Sequence, residues 1–177
     1  MKTNTKIILL MLTTFLVFSC NKKYGKIDGK EYSKGIIYFE IDNEVPLSES
    51  KNVMESIGKE KFKLNGFKYT TQTTFDSLTF FAIMFDSIEY LDVFDIVYDK
   101  NSKEATFRNM GFENLSSTNL ITWNTLLDTN GIIESQNSEK YGYLYIDEGT
   151  EQYWIDILKE KGEISDADFV WKYSTHQ

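Results

Sequence analysis

The amino-acid sequence predicts an α+β fold: an antiparallel β-meander sheet with helices packed on one face. Residues 66–75 alternate between two sets of side chains with the period of a strand, whereas Leu120, Trp123 and Leu127 recur at helical spacing. The third observation is the order of the patterns, which reads strand, helix, a run of strands, helix, strand, helix. Helices that flank such a run of antiparallel strands are typical of an α+β domain.

The first predicted elements are a strand, a helix and a second strand. Residues 35–41 are apolar, β-branched and aromatic and are followed by the only proline, which predicts a buried strand. Ser48 is the predicted N-cap of a helix that extends to about Phe62. Asn65-Gly66 then predicts a turn, and the alternating strand at 66–75 follows it.

The next segment has two interpretations, because Phe75-Asp76-Ser77 returns as Phe85-Asp86-Ser87. If both triplets are hairpin turns, residues 78–85 form a strand of the meander. The alternative is one helix from Asp76 to about Leu91, with its apolar residues along one stripe. We adopt the strand interpretation and leave the helix open.

Six further elements follow from the same signals. They are strands at 90–99 and 104–112 joined by a hairpin at 100–103, a helix from Ser116 or Ser117 to about Asp128, a strand at 143–146, a helix at 151–161, and a last short helix or strand from Ser165. Asn130-Gly131 and Gly162 supply the two helix stops. The helix at 151–161 is expected to present an apolar stripe of Tyr153, Trp154, Ile157 and Leu158.

The first twenty residues predict an export signal. Lys2 and Lys6 precede an apolar run at 7–18, and Ser19-Cys20 closes it. The run is shorter than the roughly 20 apolar residues that a membrane-spanning helix needs. A secretory signal peptide is therefore the better interpretation.

The sequence Val17-Phe18-Ser19-Cys20 resembles the lipobox of bacterial lipoproteins. The resemblance implies removal of residues 1–19 and lipidation of Cys20, so that acyl chains anchor the protein to a membrane. The polar composition of residues 21–34, with five lysines and two glycines, predicts a tether at 20–34, and the chain length fits a single domain at 35–177. Asn21 beside the cysteine favours the outer membrane of a Gram-negative bacterium. The alternative is an ordinary secretory signal with an incidental cysteine.

Composition limits the possible partners. Without Lys2 and Lys6, 17 basic residues stand against 27 acidic ones, and the net charge is about −10. Arg108 is the only arginine, which argues against nucleic acid as a partner. An acidic surface suits a basic protein partner, such as another envelope protein or a toxin, although it also simply favours solubility.

The motifs exclude several kinds of chemistry. His176 is the only histidine, so a His-based triad and zinc sites of the HExxH type are not expected. The carboxylates that stand out are Asp92, Asp95 and Asp99 in one segment, and Asp147, Glu148 and Glu151 before a helix. Structural roles are the better interpretation of both groups, because 27 acids always supply some pair at a catalytic distance.

Two further patterns are interpreted as structural. Asp128-Thr129-Asn130-Gly131 resembles the start of an EF-hand loop, but a helix stop explains it better because the glycine arrives too early. A sugar platform of Trp123, Trp154 and Trp171 is possible, but core packing is favoured. We thus predict no catalytic, cofactor-binding or metal-binding residue, and we predict lipidation at Cys20.

The predicted function is that of a lipid-anchored envelope protein that acts by binding rather than catalysis. Two uses fit: an accessory subunit of an envelope complex, or an immunity-type protein whose acidic face blocks a basic toxin. The alternative class is a glycan-binding protein or a metal-independent glycan hydrolase that uses two carboxylates.

Overall fold

A computed structural model of the chain describes residues 23–92, 94–136 and 138–172. In this part of the chain the predicted α+β class with an antiparallel sheet is confirmed. The strands are β1 Tyr24–Ile27, β2 Lys30–Ile41, β3 Phe62–Gln72, β4 Asp95–Asp99, β5 Glu104–Glu113, β6 Ile133–Glu134, β7 Lys140–Tyr145 and β8 Ile164–Trp171. The helices are α1 Leu47–Ser56, α2 Leu78–Asp86, α3 Ser117–Thr129 and α4 Glu151–Lys159.

The described chain divides into two compact units, residues 23–34 with 171–172 and residues 35–170. In the smaller unit β1 pairs with the start of β2 around the turn Asp28-Gly29. Both turn residues have positive φ, 49° and 81°, as a two-residue hairpin turn of this kind requires. The segment predicted as a tether therefore contains a β-hairpin from Tyr24 onwards, and Asp-Gly between β-forming residues is itself a hairpin signal.

The larger unit is built on an antiparallel sheet with the strand order β2-β7-β3-β5-β4. In addition, β6 pairs with β3, and β8 pairs with β2. Along β3 and β7 the residues alternate between fully buried and half-buried, which is the pattern of a sheet with one covered face. The hairpin from β4 to β5 is confirmed at the predicted position.

Aromatic rings from two helices cover the buried face. Trp123 of α3 is fully buried, its ring centroid lies 5.2 Å from that of Phe112, and its Nε1 donates to Tyr69 Oη at 3.2 Å. Phe81 and Phe85 of α2 pack edge-to-face on Phe107, with centroids 5.3 and 4.9 Å away. Large buried rings of this kind supply much of the apolar area that holds a core together.

The strand interpretation of residues 78–85 is wrong, because they form helix α2. The repeated triplets mark its two ends rather than two hairpin turns: Phe75–Ser77 form a 3-10 turn before it, and Ser87 N donates to Ile83 O after it. The segment is apolar at nearly every position, so the spacing of its apolar residues does not distinguish a helix from a strand. Packing selects the helix, because Phe81 and Phe85 both contact the single ring of Phe107. Residues four apart are separated by about 6 Å along a helix but by about 13 Å along a strand.

The predicted boundaries of the first helix and the following strand are also wrong. Helix α1 ends at Ser56, followed by Gly58 at φ 68°, and β3 has already begun at Phe62. Asn65 and Gly66 are not a turn between elements but a bulge within β3. Gly66 has φ 82°, and a Cβ there would lie 1.9 Å from Glu139 O, so the sheet requires glycine at this position.

The later elements agree better with the predictions. Helix α3 has Ser116 as its N-cap, with Oγ accepting from Asn119 N at 3.1 Å, and Gly131 at φ 60° follows its end. The last segment is the strand β8 rather than a helix. In α4 the predicted stripe is partly wrong, because Tyr153 is 61% exposed. Its buried residues are Glu151, Ile155 and Leu158.

Candidate binding surface

The uncovered face of the sheet carries a cluster of three tyrosines. Tyr38 of β2 lies directly opposite Tyr143 of β7, and Tyr141 is two residues before Tyr143 on the same face. The ring centroids of Tyr38 and Tyr141 are 5.9 Å apart, those of Tyr38 and Tyr143 also 5.9 Å, and those of Tyr141 and Tyr143 6.0 Å. All three residues are half-buried, so each ring keeps part of its surface open.

Gly142 leaves room for a neighbouring aromatic ring on the covered face of β7. A Cβ at Gly142 would lie 2.2 Å from the ring of Phe39, which occupies the space on the covered face. The ring of Phe39 therefore lies directly on the backbone of β7, and the alternation of β7 turns Tyr141 and Tyr143 to the uncovered side.

The hydroxyl of Tyr38 is held by a neighbouring acid, because its Oη donates to Glu40 Oε1 at 3.2 Å. Burial, followed by the charge of Glu40, raises the pKa of Tyr38 to about 12. The pKa of Tyr143 is also raised, chiefly by burial. Both phenols therefore remain neutral hydrogen-bond donors at any physiological pH.

A lysine and an acid continue the same face across β3. Lys63 lies opposite Tyr143 on one side and Glu113 on the other, so the face reads tyrosine, tyrosine, lysine, glutamate across four strands. Lys63 Nζ forms an ion pair with Asp92 Oδ2, and this hydrogen bond raises the pKa of Lys63. The charge of Lys63 is thus already matched within the protein.

An acidic cleft of about 640 Å³ opens beside the tyrosines. Tyr38 and Tyr141 line it together with three exposed carboxylates, Glu40, Asp42 and Glu139. Tyrosine rings and carboxylates together form a surface that attracts cations, because the ring faces and the acids both carry negative potential. The cleft could therefore receive a lysine or arginine side chain.

Lys140 lies beneath this cleft and stabilises its wall. Its side chain is 1% exposed, and Nζ donates to the carbonyl oxygens of Asn43 at 2.9 Å and Val45 at 2.7 Å. Glu134 Oε1 lies 3.8 Å from Nζ and also accepts from Leu47 N at 3.1 Å, at the start of α1. Burial lowers the pKa of Lys140 and raises that of Glu134, while the charge of each partner opposes its shift.

The carboxylates of the segment from 92 to 99 have structural partners. Asp92 pairs with Lys63, and Asp95 Oδ2 accepts from Asn109 Nδ2 at 2.7 Å. Asp99 accepts hydrogen bonds from the backbone and a side chain of its own turn, which lower its pKa. These acids therefore contribute to the fold, as the sequence suggested.

The second group of acids is divided between a buried and two exposed positions. Glu151 is 2% exposed, and its Oε1 accepts from Gly35 N at 2.9 Å, which ties α4 to β2. Asp147 and Glu148 are exposed. The sequence suggested only a helix-dipole role for Glu151 and did not indicate this long-range hydrogen bond.

The three tryptophans have different surroundings. Trp123 is in the core, as predicted. Trp154 is half-buried on α4, with Lys59 Nζ 4.0 Å from its ring centroid. Trp171 belongs to the smaller unit and packs edge-to-face on Tyr32 at 6.2 Å. Asp128 to Gly131 form the helix stop, where Ile132 N donates to Leu127 O at 2.9 Å.

The predicted lipidation site Cys20 and the single histidine His176 lie outside the described residues. Within the described ranges no three His, Cys, Asp or Glu side chains are grouped closely enough to bind a metal ion. Across the same residues, none of the helices has the length and apolar character needed to cross a bilayer. A comparison of the chain with protein-family models, curated proteins and solved structures finds no match.

The tyrosine cluster was missed at the sequence level, although part of its signal is visible. Lys140–Tyr145 reads KYGYLY, in which Tyr141, Tyr143 and Tyr145 alternate with buried positions. Tyrosine on the exposed side of a strand is typical of binding surfaces. The contribution of Tyr38 was not visible, because nothing in the sequence shows that β2 pairs with β7.

Proposed function

We propose that this protein is an exported, lipid-anchored envelope protein that binds a basic protein partner at the acidic cleft beside its tyrosine cluster. The observation that carries the proposal is the joint lining of one cleft by Tyr38, Tyr141, Glu40, Asp42 and Glu139. Tyrosine supplies rigid contact area with a polar tip, and carboxylates steer and orient a cationic partner. The net charge of about −10, counted without Lys2 and Lys6, also attracts a cationic partner over longer distances.

The proposal includes lipidation of Cys20 and location at the outer membrane of a Gram-negative bacterium. Both rest on the resemblance of residues 17–20 to a lipobox and on the neighbouring Asn21. The partner is either the main component of an envelope complex or a basic toxin that the protein neutralises. Helix α2 supports a role in an assembly, because Phe80 is 56% and Ile83 67% exposed. Large apolar side chains on one short helix are typical of surfaces that contact other proteins.

A crosslinking capture from native envelope with the full lipidated chain tests the proposal. The variant Glu40→Gln/Asp42→Asn removes two charges from the cleft, and Asp156→Asn/Glu160→Gln removes two exposed charges from the end of α4 as a matched control. We expect one basic protein whose affinity falls roughly tenfold in the cleft variant and little in the control. Binding should also weaken as salt increases.

The competing function is glycan binding or hydrolysis. The tyrosine cluster favours it in part, because sugars stack on aromatic rings, but the Tyr141 and Tyr143 rings are at 88° to one another and present no common flat surface. Recovery of polysaccharide instead of protein, with binding lost in Tyr38→Ala and Tyr141→Ala, would support this alternative. Equal loss of the protein partner in the cleft variant and the α4 control would exclude our assignment of the site.

A further inference from the structure

A second cleft, of about 300 Å³, lies on the other side of Glu139 and Tyr141 and has the opposite chemical character. Its lining includes Lys68 of β3 and Arg108 of β5, the only arginine in the sequence. Among the described residues neither side chain has a hydrogen-bond or ion-pair partner. Lys68 and Arg108 thus place two positive charges in one cleft of a chain that has an excess of acidic residues.

Two bulges in adjacent strands create this arrangement. The register between β3 and β5 shifts once at Asn65-Gly66 and again, in the opposite strand, at Arg108-Asn109. Asn109 has φ 57°, and the bulge leaves Arg108 and Asn109 both exposed, although consecutive residues of a regular strand face opposite ways. Bulges are commonly placed where a sheet re-aims a side chain next to a functional site.

A buried hydroxyl provides a further, independent sign of a ligand. Ser138 lines this cleft and is 9% exposed, and within the described residues its Oγ has no hydrogen-bond partner. A buried polar atom without a partner is destabilising and needs an explanation, such as a ligand that the site receives. Serine Oγ can donate to an anion that the two cations attract.

We infer that Lys68, Arg108 and Ser138 form a binding site for an oxyanion, the carboxylate, phosphate or sulfate group of a ligand. Arginine binds such planar or tetrahedral oxygen groups with paired hydrogen bonds, and lysine adds a point charge. Glu139 is the one acid in the lining, so the cations outnumber it two to one. The inference does not depend on the basic partner, because it uses different side chains of the face.

The single arginine allows a direct test by NMR. The full chain, labelled with nitrogen-15 in a non-ionic detergent, is titrated with inorganic phosphate, sulfate or acetate against chloride at constant ionic strength. We expect a saturable shift of the Arg108 Nε–Hε signal with at least one of these anions. Saturation with acetate alone would identify a carboxylate ligand, and saturation with phosphate or sulfate a tetrahedral group.

Matched variants separate binding from a structural role. Arg108→Gln and Lys68→Gln should each weaken the anion roughly fivefold or more, followed through the Ser138 and Tyr141 amide signals. Lys103→Gln removes an exposed cation of the β4–β5 turn and should leave the affinity unchanged. Ser138→Ala should weaken binding without lowering the melting temperature. Shifts that grow linearly without saturation, or that are equal in Arg108→Gln and the unsubstituted chain, would overturn the inference.

Discussion

Substitution of Lys140 by alanine should be among the most destabilising changes to the surface that forms the acidic cleft. The side chain is 1% exposed and satisfies two carbonyl oxygens, those of Asn43 and Val45, in the segment that leads into α1. Its removal leaves both carbonyls without their donor. It also leaves Glu134, 3.8 Å from Nζ, without its cation.

The expected loss in the free energy of unfolding is about 3–5 kcal/mol, the usual cost of removing one partner of a buried ion pair. For a chain of this size about 1 kcal/mol corresponds to about 2–4 °C in melting temperature, which gives a decrease of about 6–20 °C. The control is Lys159→Ala, because Lys159 and Asp166 form an ion pair at 3.1 Å with side chains 50% and 57% exposed. Exposed pairs contribute at most about 1 kcal/mol.

The pH dependence gives a second measurement on the same variant. Burial raises the pKa of Glu134 above its ordinary value of 4.5, and the charge of Lys140 partly opposes this. Without Lys140 the pKa of folded Glu134 rises further, so the folded state takes up a proton before the unfolded state as pH falls. The stability deficit of Lys140→Ala should therefore be greatest near neutral pH and shrink towards pH 4.5.

Urea denaturation at several pH values measures both effects. The double variant Lys140→Met/Glu134→Gln removes both charges and should recover part of the lost stability, because no buried charge is then left alone while the carbonyls of Asn43 and Val45 still lack a donor. If Lys140→Ala costs no more than Lys159→Ala, or if its deficit does not change with pH, the reasoning about a buried and matched lysine is refuted.

Two further predictions use single substitutions. Gly66→Ala should cost about 3 kcal/mol or more, because φ is 82° and the new Cβ would lie 1.9 Å from Glu139 O. Gly131→Ala, at φ 60° with open space around it, should cost only about 1–2 kcal/mol, and equal losses in denaturation would contradict the steric argument. An ultraviolet absorbance titration, with Tyr38→Phe as reference, should place the pKa of Tyr38 at about 12 and move it towards 10.0 in Glu40→Gln. Because the folded pKa is raised, this phenol's contribution to stability should hold below pH 10 and disappear as pH rises towards 12; a titration at 10.0 in both proteins would refute the proposed environment.

The sequence predicted those elements whose local signals agree with their packing. Helix α3 has a serine cap, an apolar stripe and a glycine stop, and all three lie where expected. The β4–β5 hairpin was equally clear. Helix α2 was not predictable in this way, because its sequence LTFFAIMFD is apolar at both helical and strand spacing. Only the packing of Phe81 and Phe85 on Phe107 selects the helix.

The candidate sites were harder to predict because distant segments build them. Tyr38 and Tyr143 become neighbours only through the pairing of β2 with β7, which no local pattern indicates. The bulges that expose Arg108 are a property of two strands together, and a sequence reading of Asn65-Gly66 gives a turn instead. No sequence motif indicates either cleft, because both clefts depend on the alternation and register of the strands rather than on a fixed spacing of residues.

The pairing of β2 also constrains the order in which the chain can fold. Gly35 in β2 forms its hydrogen bond to Glu151, 116 residues later, and Ile36 to Ile41 pair with Tyr145 to Lys140. Contacts between such distant residues must overcome a large loop-closure entropy, which slows folding. An emerging chain therefore presents residues 36–41 of β2 as an unpaired edge until β7 has been synthesised, and chains truncated before β7 should aggregate rather than form a partial domain.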